Sequence, residues 1–147
     1  MATAKKRDYI DIIGNWFASL PSLPKNWSHN IVKIVPYFAL IIGILGILYG
    51  IDGVRQFLTS SPLSYVVGTS DYITGLVSTI IYLLSSIILL AAYPGTKAKK
   101  YKGWSLLFWW EVLSVIGGLV SLTSWVSVII WALIVFYLIF QIRPYYK

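Results

Sequence analysis

Four long apolar runs, at Ile34 to Ile51, Tyr72 to Tyr93, Gly103 to Ser121 and Trp125 to Ile142, constrain this chain more than any motif in it. A hydrocarbon core of about 30 Å is crossed by roughly 20 helical residues rising about 1.5 Å each, and every run is near that length. With 58% apolar residues and a mean hydropathy of +0.76, the helices would be apolar all round. A water-soluble domain of this size would have too little polar surface to cover them. The expected fold is all-α: a polytopic integral membrane protein in which a four-helix transmembrane bundle (31–147) follows an amino-terminal segment (1–30).

The basic residues sort by loop. Lys5, Lys6, Arg7, Lys25 and Lys33 precede the first run, Lys97, Lys99, Lys100 and Lys102 separate the second and third, and Arg143 and Lys147 follow the fourth. Only Arg55 falls on the other side. Cytoplasmic loops retain Lys and Arg, so both termini are expected in the cytoplasm of a cell that carries the protein in its plasma or inner membrane. The net charge of +7 then reflects topology and attraction to anionic lipid headgroups, with Lys97, Lys99, Lys100 and Lys102 as the headgroup contacts, rather than a nucleic-acid partner. The segment after Lys5-Lys6-Arg7 carries Asp8, Asp11 and Asn15 where a cleavable signal would be apolar, so the first span is expected to direct insertion.

Residues 8–20 place Tyr9, Ile13, Trp16, Phe17 and Leu20 on one helical face and Asp8, Asp11, Asn15 and Ser19 largely on another. That pattern predicts an amphipathic helix, either flat on the cytoplasmic leaflet or packed against the bundle. Pro21 and Pro24 end it. In the first span Gly43, Gly46, Gly50 and Gly53 form one stripe, which lets another helix, here expected from the same chain, approach closely. Pro36 either starts this span or kinks it. Asp52 and Arg55 are spaced to pair if the helix continues past the membrane surface. The second span is expected to stop at Pro94-Gly95. Trp16, Trp27, Tyr93, Tyr101, Trp104, Tyr145 and Tyr146 at one interface, with Tyr65, Tyr72 and Trp125 at the other, read as aromatic belts. The run Ser78-Thr-Ile-Ile-Tyr-Leu-Leu resembles Ser127-Val-Ile-Ile-Trp-Ala-Leu, a hint of two parallel repeats.

Glu111, in Trp109-Trp110-Glu111-Val112, is the only carboxylate inside a span, about 13 Å from its end. A charge there costs several kcal/mol, so the side chain must point into the bundle, find donors or stay neutral. Ser114, Gly118 and Ser121 follow it on the same face, with Gly118 a packing position. Matching depths brings Ser85, Ser86 and Tyr137 near it, with Gln141 shallower. The expected site is therefore an intramembrane polar cluster of Glu111, Ser85, Ser86, Ser114 and Tyr137, serving as a hydrogen-bonded clamp between helices or as a cation or proton site.

The chemistry otherwise excludes more than it offers. There is no cysteine, the lone His29 has no partner at ligand spacing, and no HExxH, GxSxG or glycine-rich phosphate loop is present. No metal, haem or other cofactor is implied, and enzyme activity is not expected. The resulting reading is a non-enzymatic subunit or scaffold of a larger membrane assembly, partnered by other membrane subunits and lipid. The alternatives are a small proton- or cation-coupled transporter using Glu111 and a self-assembling homo-oligomer.

Overall fold

A computed structural model describes residues 2–59, 69–121 and 125–147, with the side chains of 2–8 and 69–71 left undescribed. The loop around Tyr65 and the tight turn at 122–124 lie outside the described residues. The chain is all-helical: α1 (Ala2–Ala18), α2 (Lys25–Thr59), α3 (Thr69–Lys97), α4 (Tyr101–Val120) and α5 (Trp125–Ile142), closed by a 3-10 turn, Arg143–Tyr145. Four segments, Lys25–Thr59, Tyr72–Lys97, Tyr101–Val120 and Trp125–Tyr145, are long and apolar enough to cross a membrane. This is a multi-pass membrane protein. Its exposed large side chains, from Ile34 and Ile41 on α2 to Ile130 and Ile134 on α5, would be unaccountable in water and are ordinary against lipid.

Two helix ends differ from the sequence expectation. α2 begins at Lys25 rather than near Ile34, because Pro24 offers its carbonyl to Trp27 N–H at 2.9 Å and the polar turn Lys25 to Asn30 extends the helix beyond its apolar part. Pro36 is thus an interior residue. α3 runs through Pro94 to Lys97 instead of stopping there. Its true end is a Schellman cap: Lys99 adopts φ of 52°, Lys100 N–H bonds Gly95 O at 2.9 Å, and Lys99 N–H bonds Thr96 O at 3.1 Å.

The glycine stripe of α2 packs on α3. A Cβ at Gly43 would meet Leu90 backbone at 3.0 Å, one at Gly50 would meet Leu83 Cδ1 at 2.8 Å, one at Gly53 would meet Thr79 Cγ2 at 2.9 Å, and one at Gly46 would overlap Ser86. Leu90, Ser86, Leu83 and Thr79 descend α3 at helical spacing, so two antiparallel backbones meet along four contacts. Gly95 and Gly103 repeat this where α3 turns into α4. Helix α5 is held less closely, and mainly against α4 and α1.

Both termini meet at one end of the bundle, the terminal end. Trp104 is fully buried there, donates Nε1–H to Ile139 O at 2.8 Å and lies under the Arg143 guanidinium at 5.1 Å. It is a core residue, not the interfacial anchor its position suggested, because Tyr101, Phe108 and Phe140 enclose its ring. Lys147 is tied in by Tyr101 N–H to Lys147 O at 2.8 Å and Lys147 N–H to Lys99 O at 3.0 Å. Helix α1 has three faces. Ile10, Gly14 and Phe17 are buried against the bundle, with Phe17 stacked on Phe140 at 5.1 Å, while Tyr9, Ile12, Ile13, Trp16 and Leu20 are exposed. Asp11 on the third, polar, side ion-pairs with Arg143. At the other end of α2, Asp52 accepts from Gln56 Nε2 at 2.9 Å in place of the expected Arg55.

Candidate functional site

Glu111 occupies the middle of α4 and is 1% exposed. It turns inward because Gly117, Gly118 and Ser114 make that side of α4 the small one, against which α3 closes. A Cβ at Gly117 would meet Ile81 and the Tyr82 ring, and one at Gly118 would meet Val128 of α5 and the Tyr82 hydroxyl at 3.2 Å. The carboxylate therefore looks into the interior at mid-depth.

It does not find donors there. Among the described residues no protein group donates to either Glu111 oxygen. The serines expected to do so are beside it but spend their protons locally: Ser85 and Ser86 Oγ both donate to Tyr82 O at 2.8 Å, and Ser114 Oγ donates to Trp110 O at 2.9 Å. Serine in an apolar helix bonds its own preceding turn when nothing closer competes. Among the described residues the hydrogen-bonded clamp is thus absent, and these three serine hydroxyls are left only their acceptor lone pairs for further bonding.

These groups line one cavity of about 540 Å³. Helix α2 contributes Ile42 and Gly46, α3 contributes Tyr82, Ser85 and Ser86, α4 contributes Trp110, Glu111 and Ser114, and α5 contributes Ser127 and Trp131. The sequence grouping brought Ser85, Ser86 and Ser114 to Glu111, and the structure places all three in this cavity. Tyr137 is elsewhere. Its hydroxyl donates to Pro21 O at 2.5 Å, and Gln141 binds the same linker, accepting Leu23 N–H at 3.3 Å. These two residues strap the α1–α2 connection to α5. Depth counting pointed to Tyr137, but the α5 residues that share the cavity with Glu111 are Ser127, Val128 and Trp131, nearer the start of that helix.

Sequence reasoning missed three aromatic walls, Tyr82, Trp110 and Trp131. A signal existed for two of them: the resemblance between the second and fourth spans aligns Tyr82 with Trp131. Tyr82 and Trp131 are 39% and 61% exposed, so the cavity is open to the outside of the bundle between α2 and α5. His29 is exposed near the start of α2, and among the described residues no group of three or more His, Asp or Glu side chains gathers. Lys97, Lys99, Lys100 and Lys102 are exposed at the terminal end. No protein-family model, curated protein or solved structure matches the chain.

Proposed function

We propose that this protein binds a cation at Glu111 within the membrane and carries it across, with both termini in the cytoplasm, the lysines of the α3–α4 loop at anionic headgroups, and α1 resting its exposed apolar stripe on the cytoplasmic leaflet. One observation carries the reading: a carboxylate buried in the middle of a membrane-spanning helix, with no donor among the described residues, in the wall of a cavity large enough for a ligand. A structural clamp would have its hydrogen bonds made by the protein itself, since leaving a buried acceptor unpaired costs about 1–3 kcal/mol. A cation in the cavity supplies the missing partner once the Glu111 side chain, whose oxygens are covered by its neighbours, turns toward it, and the serine oxygens favour the same sign of charge.

Proteoliposomes test this. Uptake of tetramethylammonium, or decay of an imposed pH gradient, is expected above empty liposomes for the natural chain and at their level for Glu111→Gln. Because Glu111 has no hydrogen-bond partner to lose among the described residues, Glu111→Gln is also expected to keep or raise thermal stability in detergent. Equal flux from both proteins would overturn the proposal. A second reading, a non-enzymatic subunit, draws on the loose hold on α5, whose Trp125, Val126, Ile129 and Ile130 are exposed to lipid or a neighbouring helix. It predicts fixed partners retained in mild detergent and a Glu111→Gln effect on stability alone.

A further inference from the structure

A second, wholly apolar groove of about 290 Å³ lies between α2, α4 and α5, lined by Ile34, Val35, Phe38, Leu107, Ile134 and Leu138 among others. It shares Trp110 and Trp131 with the Glu111 cavity. The two spaces divide the length of the bundle. The groove descends α5 from Trp131 to Ile142 and α2 from Phe38 to Ile31, toward the terminal end, while the cavity rises from Glu111 toward Ser127 near the start of α5. They meet at the two tryptophans, with α2 on one side and α5 on the other.

Resting on the Glu111 reading, we infer that the ligand is an amphipathic organic cation, its ammonium head at Glu111 among Tyr82, Trp110 and Trp131 and its apolar tail in the groove between α2 and α5, entered sideways from the bilayer. Charge complementarity places the head. A carboxylate in one cavity wall with three aromatic rings in the others is the recognition chemistry of an organic ammonium, which the rings attract through cation–π contact. An inorganic ion is small beside 540 Å³ and would leave the three rings without contact atoms. A bare proton needs no cavity at all. The groove places the tail, because its lining exposes no polar atom and it shares two lining residues with the head site. Lateral entry follows from exposure: Ile34, Ile134 and Trp131, on the lips of the gap, are each about half exposed or more.

The test uses the whole chain in nanodiscs, titrated calorimetrically with tetramethylammonium or octyltrimethylammonium, with empty nanodiscs subtracted. Both probes are expected to bind, to lose about tenfold or more in affinity in Glu111→Gln, and to be retained in Glu111→Asp, which keeps the charge. Ile134→Trp fills the groove at an exposed lip and leaves the core untouched. It is expected to weaken octyltrimethylammonium about tenfold while sparing tetramethylammonium. If tetramethylammonium binding depends on Glu111 but Ile134→Trp treats both probes alike, the tail site is wrong and the cation site stands. If neither probe depends on Glu111, both readings fail together.

Discussion

Helices α2 and α3 meet backbone to backbone along their length, whereas α2 and α5 touch far less and share the walls of a cavity, and both arrangements sit in one small bundle. The seam is made by removing side chains: four glycines on α2 let Leu90, Ser86, Leu83 and Thr79 of α3 close against bare backbone. The gap is made by the opposite choice, with Trp110, Tyr82 and Trp131 as spacers around a carboxylate. In lipid no hydrophobic force draws helices together, so close van der Waals contact must supply the association. A bundle that invests it in the seams leaves its remaining gap free for a ligand.

Substitutions of similar size should therefore behave oppositely in the two regions. Gly50→Leu drives a side chain into Leu83, whose Cδ1 and Cβ already lie 2.8 and 3.0 Å from where a Cβ would be. The expected cost is on the order of 3 kcal/mol or more, with loss of the folded monomer in mild detergent. Val115→Phe, which adds as many side-chain carbons as Gly50→Leu, projects into the open cavity and is expected to cost less than about 1 kcal/mol. Unfolding in a denaturing detergent series measures both. Equal costs would mean that the gap is as tightly packed as the seam and would remove the cavity from the argument.

Sequence told these regions apart unevenly, for a physical reason. Glycine spacing reports the seam directly, because only a stripe at helical period leaves one face bare, and the four spans follow from hydropathy alone. The gap depends on helix rotation about its own axis. In α5 nearly every position is apolar, so no periodicity says that Trp131 edges the cavity and Tyr137 faces the linker. Glu111 was legible because a carboxylate in hydrocarbon is expensive anywhere but inside. Its lack of donors was not, since whether a serine bonds across to a neighbour or back to its own helix turns on a side-chain rotation that spacing does not record.

The terminal end extends the closed region, and Tyr146 measures how closed it is. Its ring is buried with the core and its hydroxyl has no partner among the described residues, so desolvation pushes its pKa up to about 12 from the ordinary value near 10. The raised value means that stability is complete below pH 10 and falls between about pH 10 and 12, where unfolding releases a proton that the folded chain keeps. The fall attributable to this residue is roughly 2 kcal/mol by pH 12. Comparing the natural chain with Tyr146→Phe isolates it from the other tyrosines, and the tyrosinate absorbance that the folded protein develops near pH 10 should be unchanged by this substitution. Identical pH curves for the two proteins would show that the terminal end admits water as readily as the gap.

The smallest effect comes from the loop that joins the seam to the terminal end. Lys99 holds φ of 52° at the Schellman cap of α3, a conformation in which a Cβ is strained and glycine is not. Its own Nζ makes no ion pair among the described residues, while its carbonyl accepts Lys147 N–H at 3.0 Å, a bond that glycine preserves. Lys99→Gly is therefore expected to raise stability by about 0.5–1 kcal/mol, offset partly by the greater freedom of glycine in the unfolded chain. Lys99→Ala removes the same charge without relieving the strain and should leave stability unchanged, so the pair separates backbone conformation from electrostatics. A melting temperature that rises equally for both would assign the effect to lysine repulsion with Lys97, Lys100 and Lys102. It would also place this loop outside the closed half of the molecule.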